Sequence, residues 1–523
     1  MAATHSVALD GLTGRPIEVE VDINSGMPGT VLVGLADTIV NEARDRVRAA
    51  VVNSGTSWPD QRVTINLAPS TVPKTGSHFD LAIASALFVA KREVPADALA
   101  DAVLLGELAL DGRLRPVRGV LPATMAAAAA GFRFVFVPES NATEAALVPD
   151  IEVVSLRSLR QLVALLTGQP EPDDPPVPPL DDATFARSGT SMAGLDVADV
   201  AGQEDARTAI LVAATGGHHL AMVGPPGIGK TMLAKRLPGL LPDLTPAEAL
   251  EVSAVHSLGG FLPSDAPLLD RPPFIDPHHT SSAVAIIGGG TRGIRPGAMS
   301  LAHRGVLFMD EAPEFASNVL DALRQPLESG HILIARANQT AMFPARFQLV
   351  LASNPCPCGQ DGAASGQCHC TPLMRRRYRE RITGPVRDRI DIHRSLTLPS
   401  RPELARAIGR SHSTDRLAAV VAGARERQAH RLEGTPWRLN SEVPGSELRK
   451  QWPIEDAARA VLDSQVSSQK LSVRAADRIL ALAWSVADLR AHGRPSRDDA
   501  LLALSLRQGT PLGPDLRELV AAS

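Results

Sequence analysis

The sequence predicts an α/β protein with an all-helical end, and three observations predict it. Ile17, Val19, Val21 and Ile23 alternate with Glu18, Glu20 and Asp22, the period of a half-buried strand. Between about 191 and 400, short apolar runs are separated by Gly-rich turns, the pattern of strands covered on both faces in a parallel sheet. Beyond Ser400 those runs stop, and Leu480, Ala483, Val486 and Leu489 recur at helical spacing.

In chain order, residues 1–167 read as a first α/β domain. Val63, Ile65 and Leu67 repeat the strand period. Asp37 can cap a helix carrying Ile39, Val40, Ala43, Val47, Ala50 and Val51 on one face, which ends at Asn53-Ser54-Gly55. Asp111-Gly112, flanked by Leu108, Leu110 and Leu114, signals a hairpin; an Ala-rich helix after Pro122 and a strand from Phe132 to Val137 follow. Residues 168–190 alternate prolines with acids and keep no apolar period, as a stiff extended linker does. Residues 191–400 form the parallel-sheet domain and 401–523 the helical one.

Lys and Arg total 53 against 57 Asp and Glu, a formal charge of -4, so nothing global announces a nucleic-acid binder. Any such contact is local. There is no run of 18 uncharged apolar residues and no signal-peptide pattern at Met1 to Arg15, which predicts a cytoplasmic protein with no membrane partner. All four cysteines fall between Cys356 and Cys370.

The strongest chemical signal is Gly224-Pro225-Pro226-Gly227-Ile228-Gly229-Lys230-Thr231, between the strand-like Leu220–Val223 and the helical Met232–Lys235. Glycines let backbone N–H groups turn around phosphate oxygens, Lys230 reaches the β/γ-phosphates of ATP, and the Thr231 hydroxyl takes a Mg²⁺ position. A second buried run, Gly305 to Met309, ends in two acids: Asp310 suits the metal and Glu311 the attacking water. A third, Phe347 to Ala352, ends in Ser353-Asn354, where Asn354 can orient that water or read the γ-phosphate. In an open parallel sheet, ligands gather beyond the carboxyl ends of strands, as these three ends require.

With those ends in place the chain resembles the AAA+ ATPases, and more closely the Mg-chelatase-like YifB/ComM family, which pairs a Lon-like N-terminal domain (ribosomal S5-like) with an AAA+ module and a helical lid. The marks are Asp276-Pro277-His278-His279-Thr280, Gly288-Gly289-Gly290, Arg295-Pro296-Gly297, Leu301-Ala302-His303, Leu323-Arg324-Gln325-Pro326-Leu327-Glu328, Asn354-Pro355-Cys356-Pro357-Cys358-Gly359 and Asp388-Arg389-Ile390-Asp391. The resemblance implies a homo-oligomeric ring, hexameric in similar proteins. It implies that Arg389 reaches a neighbour's γ-phosphate and that Arg474 reads the nucleotide from the lid. Arg387 stands where similar proteins carry Leu, which leaves Arg387 and Arg389 as alternatives for the trans arginine. It also implies a helix-2 insert at Phe274–His303 and a presensor hairpin at His331–Phe347, both pore-directed in similar rings. Ile275 stands where the family often has Arg.

Cys356, Cys358, Cys368 and Cys370 form paired C-x-C motifs that offer four thiolates to a structural Zn²⁺, or are simply reduced cysteines in a Gly-rich loop. Arg375, Arg376, Arg377, Arg379 and Arg381, with Tyr378 among them, are a candidate phosphate-backbone contact or a solvated helix face. His278 and His279 read as hydrogen-bonding residues before metal ligands. In the Lon-like domain His78 stands where the family's nucleophilic Ser would be, Ser77 is one place off, and no Lys occurs between Lys91 and Lys230 to activate it, so the domain reads as non-proteolytic.

The expected function is an ATP-hydrolysing, Mg-dependent ring motor on single-stranded or branched DNA, of the branch-migration or helicase type seen in recombination and DNA uptake. The alternative is a Mg-chelatase-like chaperone that remodels a protein partner; an ATP-dependent protease is the third reading.

Overall fold

The computed structural model describes residues 1–34, 38–180, 194–263, 265–290, 293–336, 339–361, 368–399, 412–469 and 471–513. The expected Asp37 cap lies outside them. The protein is mixed α/β with a helical C-terminal region.

The first sheet has seven strands: β1 (Ala2–Asp10), β2 (Thr13–Asn24), β3 (Gly29–Val33), β4 (Arg62–Ala68), β5 (Ala102–Leu104), β6 (Phe134–Pro138) and β7 (Glu152–Leu156), in the order β3-β4-β2-β1-β5-β6-β7. It is mixed: β2 runs antiparallel to both β1 and β4, and the other pairs are parallel. Ile17, Val19, Val21, Val63, Ile65 and Leu67 all point into one core, as their alternation requires. Ala43, Val47, Ala50 and Val51 cover that core from the helix Thr38–Asn53. The helix Asp80–Ala90 is buried for ten residues from Asp80 to Val89. The Asp111-Gly112 turn joins the ribbon Glu107–Leu108 and Leu114–Arg115, and the Ala-rich helix runs Val120–Ala129, starting two residues before Pro122. The Pro-rich stretch begins packed rather than free: Asp174 is buried and accepts from Ser158, and Val177 N–H donates to Glu139 Oε2 at 3.1 Å.

The second sheet is parallel throughout: β8 (Leu220–Val223), β9 (Phe274–Ile275), β10 (Val306–Met309), β11 (Gln348–Ser353) and β12 (Ile392–Ser395), in the order β9-β10-β11-β8-β12. Phe274 and Ile275 belong to this sheet, so the insert expected from Phe274 starts only beyond them. It then forms the helix Ala283–Ile287 and the ribbon Gly288–Gly289 with Arg295–Pro296. The expected presensor segment is an antiparallel hairpin, His331–Arg336 with Gln339–Pro344.

Past residue 412 the described elements are helical, the longest being Thr414–Arg431 and Val473–Leu489. Leu480, Ala483, Val486 and Leu489 are buried as expected, in an apolar core continuous with the helix Glu204–Gly216 and β8. The first sheet's layer also docks on the second's. Leu121 and Val148 pack on Ala254, and Gly119 N–H donates to Ser257 O at 3.2 Å.

Candidate nucleotide site

β8 ends at Val223, whose register partner across the ladder is Ser353 at the tip of β11, while Met309 at the tip of β10 faces Leu351. The three carboxyl ends are therefore neighbours. From β8 the chain loops through Gly224–Gly229 and enters the helix Lys230–Ala234. Gly227 and Gly229 have φ of 74° and 97°, and a Cβ on either would meet no atom within 4 Å. A left-handed loop with open space at its glycines is a cradle that fits a phosphate.

Lys230 Nζ donates to Gly224 O (2.6 Å), Pro225 O (3.0 Å) and Asn354 Oδ1 (3.1 Å). Burial lowers its pKa, and the charges of Asp310 and Glu311 oppose that shift. The Thr231 hydroxyl donates to Asp310 Oδ2 at 2.7 Å, so the two groups expected to share Mg²⁺ already meet. Asp310 Oδ1 accepts the Glu311 backbone N–H at 2.9 Å. Glu311 itself sits at φ 51°, with its carboxylate half exposed and Oε2 3.1 Å from His279 Nδ1. Ile228 anchors the loop in the core, and Pro226 lies against Gly359, where an added Cβ would come within 2.8 Å of it. Sequence reasoning missed the His279 partner because the two residues are far apart in the chain; an acid and a His at the ends of adjacent strands was the available signal.

Arg389 and Arg474 meet each other rather than the cradle. Arg389 is buried and donates to Pro385 O and to Glu328 Oε1, and Arg474 Nη2 lies 4.0 Å from that same Glu328 oxygen. Among the described residues, every polar contact of Arg474 is with this group. Two residues on, Asp391 is pinned by His218 (3.3 Å) and by Arg478 (3.3 Å), and His218 in turn bonds Ser485 Oγ at 2.7 Å. These neighbours hold the Asp391 carboxyl far below its ordinary range despite its burial. Arg387, by contrast, is exposed.

The four cysteines come together, with their sulfurs all within 4.8 Å of one another; Cys356 Sγ lies 3.3 Å from Cys358 Sγ and 3.7 Å from Cys368 Sγ. Tetrahedral thiolates at about 2.3 Å from zinc lie roughly 3.8 Å apart, so the donor set fits that ion. The Gln360 backbone N–H and then the Cys356 thiol pull Cys358 down to about 6, while the same cluster holds Cys368 up and Cys370 up to about 11. The Arg-rich helix Pro372–Glu380 braces this loop: Arg375 and Arg379 both pair with Asp361, at 2.7 and 2.8 Å. Arg376 pairs with Glu380, Arg381 with Glu314, and Tyr378 is buried. A buried ring cannot stack on a base, and four of the five arginines are paired within the chain, while Arg377 is exposed.

In the first domain, His78 is half-buried, lowered to about 4 by desolvation, and bonded to Val7 O at 2.8 Å. Ser77 Oγ donates to Glu107 and Lys74 Nζ to Pro69 O. No serine–lysine pair is formed among these residues.

Comparison with known proteins gives three family matches: "Magnesium chelatase, subunit ChlI" over residues 196–403, "Subunit ChlI of Mg-chelatase" over 19–141, and "Magnesium chelatase, subunit ChlI C-terminal" over 411–507. An uncharacterised protein of Mycobacterium tuberculosis is 48% identical over 508 residues, 97% of this chain and 99% of that one. YifB of Escherichia coli is 40% identical over 489 residues (94% and 93%), and the competence protein ComM of Haemophilus influenzae 39% over 493 (94% of each). With relatives matched over nearly their whole length and three chelatase models matched in order along it, this chain belongs to the Mg-chelatase-like YifB/ComM family.

Proposed function

We propose that this protein is an ATP-hydrolysing AAA+ motor that assembles as a ring, hexameric by resemblance, and moves on single-stranded or branched DNA in recombination or DNA uptake. The observation that carries the ATPase reading is the meeting of Lys230 with Asn354 and of Thr231 with Asp310 at three adjacent strand tips. In this reading Lys230 and the Gly224–Gly229 backbone hold the phosphates and Thr231 with Asp310 holds Mg²⁺, which neutralises charge on the transferred group. Glu311 polarises the attacking water, Asn354 orients it, Arg389, with Arg387 as its alternative, reaches a neighbour's γ-phosphate, and Arg474 reads the nucleotide from the lid. The proposed layout is 1–167 Lon-like scaffold, 168–190 linker, 191–400 ATPase core and 401–523 lid. We assign Zn²⁺ to the four cysteines as a structural ion, and the cytoplasm as the location; no helix among the described residues is long and apolar enough to cross a membrane.

The DNA substrate rests on the similarity to a relative named as a competence protein. A second reading, a chaperone that remodels a protein partner, is favoured by the chelatase models over 196–403 and 411–507. The deciding measurement is ATPase activity with single-stranded, duplex and branched DNA at 50 and 200 mM salt. Contact with six to ten phosphates predicts stimulation that weakens by about 10³ to 10⁵ in affinity between those salts. Absence of stimulation by every DNA transfers the assignment to the chaperone.

A further inference from the structure

An arginine that must reach across a subunit boundary is here occupied within its own subunit. Arg389 is 6% exposed, and its Nη2 binds Glu328 Oε1. The Nε of Arg389 is buried with no partner, as is the Nε of Arg324 on the helix that carries Glu328. Arg474 approaches the same Glu328 oxygen from the lid helix Val473–Leu489. The charges of Arg474, Arg478 and Arg324 all bear on Arg389. Asp321 pairs with Arg324 and Asp391 with Arg478, which leaves the single carboxylate of Glu328 to answer both Arg389 and Arg474. Two guanidiniums converging on one oxygen, with a donor to spare, is how a phosphoryl oxygen is gripped.

Burying a guanidinium without a counter-charge is costly, so Arg389 is not released into solvent; it exchanges one oxyanion for another. Glu328 is 58% exposed, so its carboxylate can swing aside while Arg389 stays in its pocket. We propose that Glu328 is the positioning residue of the trans arginine Arg389: it stands in for the neighbour's γ-phosphate and holds Arg389 poised, with Arg474 of the lid on the same oxygen, and a nucleotide-loaded neighbour must displace it. This rests on the trans-arginine reading above. It makes assembly and ATP loading compete with one internal carboxylate, so a lone subunit stays latched.

The test is specific ATPase activity of the full chain against protein concentration at saturating ATP, read as the concentration of half-maximal activity. Glu328→Gln removes the competitor and is expected to lower that midpoint three- to fivefold, the scale of one half-exposed charge pair. In an Arg474→Ala background the gain should shrink, because half of what the carboxylate holds has gone. A midpoint that is unchanged or raised, or a shift of full size in that background, overturns the proposal. Should Glu328→Gln fold poorly, Glu328→Asp shortens the reach by one methylene and is expected to lower the midpoint about twofold; an unchanged or raised midpoint there overturns it equally. Arg389→Ala alone tests the underlying reading. If that variant turns over like the parent, Arg389 does not act in trans, whatever Glu328 does.

Discussion

His279 holds its Nδ1 3.1 Å from Oε2 of Glu311, which leaves Oε1 for the water in the role proposed for Glu311. The imidazole is itself fixed, with its ring 4.2 Å from that of His278 and edge-on to the buried Phe315 at 6.5 Å. Glu311 needs such a brace because a half-exposed carboxylate has several rotamers and only one aims at the attacking water. His279→Ala is therefore expected to lower kcat about tenfold with the KM for ATP little changed, and His279→Asn, which can still donate to Glu311, to recover part of the loss. Equal changes in kcat and KM would place His279 in folding or binding instead.

The cradle and the water-activating acid separate by the step they affect. Lys230→Ala is expected to abolish binding of a fluorescent ATP analogue, since the Lys230 ammonium is the one bonded to the Gly224 and Pro225 carbonyls of the Gly224–Gly229 loop. Glu311→Gln should bind ATP and lose about 10² to 10⁴ in turnover, the range for removing a general base. Binding that survives Lys230→Ala, or turnover that survives Glu311→Gln, moves the site elsewhere.

How much of this was legible in the sequence depended on whether the signal was periodic or local. Val63, Ile65 and Leu67 are buried on one face, as their alternation requires, and the three strand tips meet because β8, β10 and β11 are neighbours in one parallel sheet. The helix Asp80–Ala90 was not legible: buried all round, it has no polar face and hence no 3.6-residue period. β1 likewise carries Thr4 and Ser6 in its buried positions, which blurs its alternation, although Thr4 Oγ1 is satisfied by Ala82 O at 2.9 Å. The Arg375–Arg381 run stayed open between a phosphate contact and a solvated helix face because two of its partners, Asp361 and Glu314, come from other elements. Glu328 was visible only as part of a motif, since its contact with Arg389 joins residues more than sixty apart in the chain.

Gly11 ties the first sheet to the presensor hairpin. It turns the chain between β1 and β2 at φ +60°, and a Cβ there would lie 2.5 Å from Met342 O. Gly11→Ala adds left-handed strain and a backbone clash together, an expected loss of about 1–3 kcal/mol. The local signature is faster tryptic cleavage after the exposed Arg336 in the hairpin. Unaltered cleavage would mean that the turn and hairpin separate without cost.

The cysteine loop leans on the phosphate loop through Gly359 and Pro226, so metal and nucleotide are expected to be coupled. The purified protein should carry one zinc per chain, and Cys358→Ser should lose it. Chelation should then weaken nucleotide binding severalfold without unfolding the first sheet. A full zinc complement with no change in nucleotide affinity on its removal would uncouple the two; no zinc at all would leave the cysteines as plain thiols.

Glu144 is expected to make the docking of the first sheet's layer on the helix Pro246–Gly259 depend on pH. It is buried at the seam, where it accepts from Asn141 Nδ2 at 2.7 Å and bonds Ser257 on the core helix Pro246–Gly259. Burial pushes its pKa up to about 7, against the smaller opposing pull of Ser257 and Asn141. An acid whose folded pKa exceeds its unfolded value of about 4.5 binds its proton more tightly when folded, so stability falls as pH rises between the two and stays reduced above the upper one. The gap is worth about 3 kcal/mol at most. Glu144→Gln keeps the amide oxygen as acceptor and removes the titration. It is expected to melt with the parent at pH 4.5 and several degrees above it at pH 8. A difference between the two that is the same at both pH values would show that Glu144 is not what titrates at this seam.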